Sequence, residues 1–153
     1  NDIAFMRQML SAVPDLYSHV DFFNSHPYPF GDRPFSEPLG RAGAVHYRDQ
    51  LLETGYPSLP VLISEAGWEG HDELSKATSI VAAFEEEWLP DSRVEGVTPF
   101  LLSAGGNTSY FANEGWDWVL WPNTSAPAPT TLTMQYNSTR SLRCRIGVGG
   151  ACT

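Results

Sequence analysis

Residues Leu59 to Trp68 read LPVLISEAGW and give the clearest indication of the fold. The first six of these residues, Leu59 to Ser64, form a compact apolar run of strand length. Continuous apolarity over that length is typical of a strand that is buried on both faces, as in a parallel sheet covered by helices. Glu65 follows the run directly. The stretch therefore predicts a buried parallel strand with a carboxylate at its carboxyl end.

Helical and extended patterns alternate on either side of this strand. The pattern predicts helices over 2–13, 39–54, 72–89 and 131–142, strands over 17–24, 59–64 and 94–102, and a long loop over 103–129. Strands that alternate with helices indicate an α/β fold with a parallel sheet. Three strands are too few for a closed (β/α)8 barrel, which takes about 250 residues. The chain is therefore either a small doubly wound domain or a portion of a barrel with about three β/α units.

Composition excludes several classes of protein. The 153 residues are 42% hydrophobic and carry a net charge of −9, which predicts one globular domain over 1–153 and argues against a nucleic-acid partner. No apolar stretch reaches the roughly 20 residues that a membrane span needs. The first residues carry neither an initiator Met nor a signal peptide, so we expect the chain to begin at an internal position of a longer protein.

Polar and aromatic residues follow each predicted strand. His26 and Tyr28 follow the first, Glu65 and Trp68 follow the second, and Trp116, Trp118 and Trp121 come after the third. The carboxyl ends of parallel strands meet at one edge of the sheet, which is where α/β proteins carry their chemistry. Each residue also has a structural interpretation: Glu65 could cap a turn or pair with Arg, the His-Pro-Tyr segment could be a structural motif, and the indoles could be core residues.

Three motifs in register carry a resemblance to a known group of enzymes. DFFNSHPYPF (21–30), PVLISEAGW (60–68) and VEGVTPFLLSAGG followed by GWDWVLW (94–121) resemble the ends of strands six, seven and eight in the retaining (β/α)8-barrel glycoside hydrolases of the cellulase, β-mannanase and β-xylosidase clan. The resemblance implies that Glu65 is the nucleophile and that His26 and Tyr28 contact it. It also implies that a Trp in the segment 116–121 forms the floor of the sugar-binding subsite. From the residues themselves we expect Trp68 and one of Trp116, Trp118 and Trp121 to form a platform on which a sugar stacks.

The same resemblance implies a substrate and a missing partner. Hydrolysis of O-glycosidic bonds in a polysaccharide or oligosaccharide by this route needs two carboxylates about 5 to 5.5 Å apart. In the clan the acid/base is a Glu after strand four, and no such strand exists here, because the chain begins in what resembles helix five. We therefore expect the acid/base to come from the remainder of the barrel, on the same precursor or on another chain, and we expect no cofactor and no metal.

A group of sequons and cysteines predicts a secretory route. Asn107, Asn123 and Asn137 each begin an N-x-[ST] sequon within a Ser, Thr, Gly and Pro-rich region, which favours glycosylation. Cys144 and Cys152 enclose a short glycine-rich loop that suits a disulfide, so we expect a short Cys-closed tail over 143–153, although two free thiols remain the alternative. Together these features predict a secreted, extracellular glycoprotein.

Two other functions are consistent with these residues. The chain could belong to a non-catalytic, glycoside-hydrolase-like structural or glycan-binding glycoprotein that keeps the barrel and its aromatic cleft. A metal-dependent hydrolase could use His19, Asp21 and His26, but three ligands within one short strand and its turn match no recognised pattern.

Overall fold

The computed structural model of the chain describes residues 2–69, 72–100, 119–120 and 131–132. The main elements are α1 (Asp2–Ala12), β1 (Phe23–Ser25), α2 (Pro38–Ala44), α3 (Tyr47–Thr54), β2 (Val61–Ala66), α4 (Glu73–Ala83), β3 (Val94–Pro99), β4 (Val119–Leu120) and β5 (Thr131–Leu132). Short 3₁₀ turns cover Leu16–His19 and Phe30–Asp32, and a π-helical turn over Phe84–Trp88 continues α4. The predicted α/β class with a parallel sheet is confirmed.

The sheet has three strands in the order β1-β2-β3, all parallel. Phe23 pairs with Val61 and Ser25 with Ile63, and on the other side of β2 Val61 pairs with Val94. Neighbours in the sheet are thus neighbours in the chain, each joined to the next by a helical connection. This order brings the carboxyl ends of all three strands to one edge, as expected for parallel strands.

Helices cover one face of this sheet. Val61 and Ile63 of β2 are fully buried against Leu51 of α3 and Ile80 of α4. The helices form where the sequence supplies their ends: the Asp72 carboxylate accepts hydrogen bonds from the Leu74 and Ser75 amides at the start of α4. Gly55 closes α3 at a φ of 75°, a conformation that glycine adopts without strain.

The opposite face of the sheet is uncovered among the described residues. Asn24, Leu62, Ser64 and Thr98 are all exposed there, between buried neighbours on β1 and β2. The alternation of exposed and buried positions is what a strand with one covered face produces. The predicted burial of β2 on both faces is therefore not met within this part of the chain. The open face nevertheless includes one apolar side chain, that of Leu62.

A buried ion network connects α2 and α3 to the π-helical turn at Phe84–Trp88 and to the turn that precedes β3. The carboxylate of Glu87, 8% exposed, accepts hydrogen bonds from Arg41 and Arg48, each at 2.7 Å. The carboxylate of Asp91 accepts from the Tyr47 hydroxyl at 2.8 Å and from Arg93. The pKa of Asp91 is held well below its usual range, chiefly by its hydrogen bonds to Arg93.

Four predicted elements need correction. The aromatic run 17–24 is not one strand, because Ser18 bonds to the carbonyl of Asp15 and starts a 3₁₀ turn, so the strand begins only at Phe23. The predicted helix 39–54 is two helices, broken at Val45, where ψ is 6°. Residues 119–120 and 131–132 pair as antiparallel strands, so a strand interrupts the predicted loop 103–129 and another replaces the start of the predicted helix 131–142.

None of the helices in the described part of the chain is both long enough and apolar enough to cross a bilayer.

Candidate functional site

Glu65 lies at the carboxyl end of β2 and meets the loop that follows β1. The Tyr28 hydroxyl donates a hydrogen bond to Glu65 Oε2 at 2.9 Å, and His26 Nδ1 lies 3.4 Å from the same oxygen. The Glu65 side chain is 39% exposed and that of His26 is 43% exposed. The structure therefore brings together three of the residues that the sequence singled out. Within the described part of the chain, both contacts go to Oε2, and none goes to Oε1.

A bulge in β2 gives Glu65 its direction. Ile63 pairs with Val97 and Ala66 with Pro99, so three residue steps on β2 face two on β3. Ser64 and Glu65 consequently both reach the ring of His26, at 2.9 and 3.4 Å. In a regular strand, successive side chains point to opposite faces, and Glu65 would follow Ile63 toward the helices. The extra residue instead turns the carboxylate to the site, as bulges near active sites commonly do.

Thr98 of β3 accompanies this bulge. Its hydroxyl donates to the carbonyl oxygen of Ser64 and lies 3.5 Å from that of Ile63. The Phe100 amide donates to the carbonyl of Ala66 at 2.8 Å, which fastens the strand just beyond the bulge. These bonds satisfy carbonyl groups that an irregular ladder would otherwise leave unpaired. Thr98 therefore holds the backbone that carries Glu65.

The loop that carries Tyr28 packs directly on α2. A Cβ atom at Gly43 would lie 2.3 Å from the carbonyl oxygen of Tyr28 and 2.5 Å from the Phe30 amide nitrogen. One at Gly40 would lie 2.0 Å from the carbonyl oxygen of Pro34. Only glycine permits approaches this close. The two glycines therefore allow the loop to lie directly against α2. This distance between the loop and the helix fixes the position of the Tyr28 ring.

Trp68 is a core residue, which corrects its predicted place in a sugar-binding platform. Its side chain is 4% exposed and packs between Phe35 and Trp88, with ring centroids 6.4 Å away in both cases. Its indole N–H donates to the carbonyl of Arg33 at 2.9 Å. No face of the ring is open to a ligand. Trp68 instead anchors the far end of the loop that begins at Tyr28.

The surroundings of Tyr28 keep its hydroxyl protonated. Burial raises the pKa of Tyr28, and the hydrogen bond to Glu65 raises it further. The ring also meets Phe100 edge-on, with centroids 6.3 Å apart. Tyr28 is therefore a fixed donor to Glu65 across the neutral range. Its hydrogen bond orients one oxygen of the Glu65 side chain.

A polar chain extends from the site into the open face of the sheet. Ser64 donates to the Asn24 side-chain oxygen at 2.7 Å and is 2.9 Å from His26 Nε2. Sequence reasoning missed Asn24, Ser64 and Thr98. Two of them had a signal: Asn24 stands two residues before His26, and Ser64 immediately precedes Glu65.

Several predicted residues lie outside the described part of the chain. They are the aromatic residues Trp116, Trp118 and Trp121, the sequon residues Asn107, Asn123 and Asn137, and the cysteine pair Cys144 and Cys152. Their roles stay predictions. Among the described residues, no group of three or more His, Cys, Asp and Glu side chains is arranged to hold a metal ion.

Comparison with known proteins adds no relative to this description. No family model, no curated protein and no solved structure matches the chain.

Proposed function

We propose that this chain is the C-terminal portion of a (β/α)8-barrel glycoside hydrolase that acts with retention, and that Glu65 is its nucleophile. The observation that carries the proposal is the position of Glu65 at the carboxyl end of a parallel strand. There one of its oxygens accepts a hydrogen bond from Tyr28 and lies 3.4 Å from His26 Nδ1. A carboxylate that is held by rigid neighbours and is still accessible meets the requirement for attack on an anomeric carbon.

The chemistry divides between Glu65 and a second acid. Glu65 Oε1 attacks the anomeric carbon, the bond to the leaving oxygen breaks, and a carboxylic acid from the upstream part of the barrel protonates that oxygen. Water, deprotonated by the same upstream carboxylate, then attacks the anomeric carbon and releases Glu65. Tyr28 donates to Oε2 throughout, which keeps Oε1 aimed at the substrate. The two carboxyl groups are expected about 5 to 5.5 Å apart.

The sheet supports the proposed barrel and its partner. Strands in chain order, helices on one face and an uncovered opposite face that exposes Leu62 are compatible with three adjacent β/α units of a barrel, whose interior face needs the remaining strands. We therefore propose that the remainder of the barrel, from the same precursor or another chain, covers Leu62 and supplies the acid/base. The substrate is a polysaccharide or oligosaccharide, and the secreted, glycosylated, disulfide-bonded state follows as part of the same proposal.

A variant pair in the full-length protein tests this function. Glu65→Gln is assayed on β-glucan, mannan and xylan. The control is Glu95→Gln, which alters an exposed carboxylate at the amino end of β3, far along the strand from the carboxyl-end edge that carries Glu65. We expect Glu65→Gln to lower kcat by at least about 10³-fold, since removing a covalent nucleophile has effects of this size or larger. Glu95→Gln should keep full turnover. Unchanged turnover in Glu65→Gln would remove Glu65 from the mechanism.

Covalent trapping separates the retaining mechanism from simple binding. Fluorinated glycosides that form slowly hydrolysed glycosyl-enzymes, in gluco, manno and xylo forms, are incubated with the protein, and the labelled peptide is identified by mass spectrometry. We expect the label on Glu65. Tight glycan binding with neither turnover nor labelling would instead support the non-catalytic, glycan-binding alternative.

A further inference from the structure

The last residue of β1 is anchored from the side of the sheet that the helices cover. Ser25 is 3% exposed, and its hydroxyl donates a hydrogen bond to Gln50 Oε1 of α3 at 2.6 Å. The next residue in the chain is His26, which begins the loop after the strand. The Ser25 side chain therefore fastens the point at which β1 passes into the loop that carries Tyr28.

The neighbours of Gln50 leave its amide only one orientation. Its Nε2 donates to Asp2 Oδ2 at the start of α1, and the same oxygen lies 2.8 Å from His46 Nε2. Burial raises the pKa of Asp2, but hydrogen bonds, chiefly that from Gln50, outweigh this effect and hold the pKa below its ordinary value. An ionised carboxylate can only accept hydrogen bonds, so the amide nitrogen must face Asp2 and the amide oxygen must face Ser25.

We propose that Gln50 is a positioning residue for Tyr28 and, through it, for Glu65. This role rests on the proposed function, in which Tyr28 keeps Oε1 of Glu65 aimed at the anomeric carbon. Tyr28 lies three residues after Ser25, so a strand end that is free to move carries the Tyr28 hydroxyl with it. A displacement of about 1 Å takes the 2.9 Å bond from Tyr28 to Glu65 out of hydrogen-bonding range.

The loop has a second support, in which Gln50 takes no part. Its backbone at Tyr28 packs against Gly43 of α2, where a Cβ atom would lie 2.3 Å from the Tyr28 carbonyl oxygen. Loss of the Gln50 acceptor therefore displaces the start of the loop while its middle stays on α2. We expect such a variant to fold and to bind substrate, and to lose rate in the chemical step.

The first test removes the acceptor. Gln50→Met in the full-length protein keeps the length of the side chain, and it is assayed on whichever of β-glucan, mannan and xylan the wild-type protein hydrolyses fastest. We expect kcat to fall about tenfold with KM within about twofold, since a misplacement of about 1 Å costs up to about 10²-fold. The matched control on the same helix is Glu53→Gln, which breaks an ion pair with Arg7 of α1 and should keep the wild-type kcat. A wild-type kcat in Gln50→Met would overturn the proposal.

A double variant tests the direction of the hydrogen bonds. In Asp2→Asn combined with Gln50→Glu, donor and acceptor exchange places: the amide introduced at position 2 donates to the carboxylate introduced at position 50, whose other oxygen accepts from Ser25. We expect the wild-type kcat to return. Circular dichroism and thermal unfolding establish that each variant is folded, and the double variant decides if Gln50→Met does not fold. A folded double variant with a kcat about tenfold below that of the wild-type protein would overturn the proposal.

Crystal structures separate this inference from the proposed function, because they need no activity. We expect the distance from the Tyr28 hydroxyl to Glu65 Oε2 to lengthen by at least about 0.5 Å in Gln50→Met and to stay unchanged in Glu53→Gln. If Glu65→Gln keeps full turnover and this distance lengthens, the proposed function fails and the positioning of Tyr28 stands. If Glu65→Gln is inactive while Gln50→Met keeps the wild-type distance and kcat, the positioning role fails alone.

Discussion

Substituting Gly43 by alanine tests whether α2 sets the position of the Tyr28 loop. On an ordinary helix this change is favourable, because alanine has a helix propensity about 1 kcal/mol better than glycine. Here the new Cβ would lie 2.3 Å from the Tyr28 carbonyl oxygen, 2.5 Å from the Phe30 nitrogen and 2.6 Å from the Pro29 Cα. All three are backbone atoms, so no side chain can rotate away to make room.

The expected loss of stability follows from weighing these two effects. Overpacking a well-packed site costs about 1–3 kcal/mol, and three backbone contacts place Gly43→Ala in the upper part of that range. After the gain in propensity, we expect the free energy of unfolding to fall by about 1–2 kcal/mol. Relief of the clash needs a loop movement of about 1 Å, which is enough to break the 2.9 Å bond from Tyr28 to Glu65.

Urea denaturation and turnover measure the two consequences together. The matched control is Gly96→Ala, where the added Cβ would meet only Leu62 Cδ2, at an ordinary 3.6 Å. We expect the control to keep the stability and turnover of the wild-type protein, and Gly43→Ala to lose both. If Gly43→Ala is as stable as the wild-type protein or more so, the loop does not rest on α2 and the reasoning about Tyr28 is wrong.

Two further predictions concern the core and the ion network. The depressed pKa of Asp91 means that its stabilising contribution is present above its ordinary value of 3.8 and is lost as pH falls below it. Between pH 4 and 2, the free energy of unfolding of Asp91→Asn should therefore decrease less steeply with falling pH than that of the wild-type protein, by up to about 1.4 kcal/mol per pH unit. Equal slopes for the two proteins in acid denaturation would contradict this. Trp88 is 1% exposed and its indole N–H donates to the Ala44 carbonyl at 2.9 Å. Trp88→Phe should thus cost about 2–4 kcal/mol in urea denaturation, whereas Leu52→Ala, at a side chain that is 67% exposed, should cost less than about 0.5 kcal/mol. Similar losses for both variants would show that Trp88 does not have the predicted core role.

Local patterns were enough to predict the class of fold and the main elements of the site. The apolar run before Glu65 and the helical spacing after Asp72 depend on residues within one element, so periodicity reveals them. The common edge of parallel strands predicted only that the three strand ends would lie together; the contact of Tyr28 with Glu65, a hydrogen bond of 2.9 Å, was implied by the family resemblance. Trp68 shows the limit, since its pattern is equally that of a core residue and of a binding surface.

Contacts between elements decided the rest. The direction of the Glu65 side chain depends on a bulge, which arises from the shifted register between β2 and β3. The alternation of residues within β2 does not predict this bulge. The break between α2 and α3 likewise accompanies a close approach of the Tyr28 loop to Gly43, which lies fifteen positions further along the chain. Propensity and periodicity act over a few neighbouring residues, whereas side-chain direction at a strand end is set by the strand beside it. That is why the carboxylate could be located from the amino-acid order, while the bond from Thr98 to the bulged backbone before it emerged only from the folded arrangement.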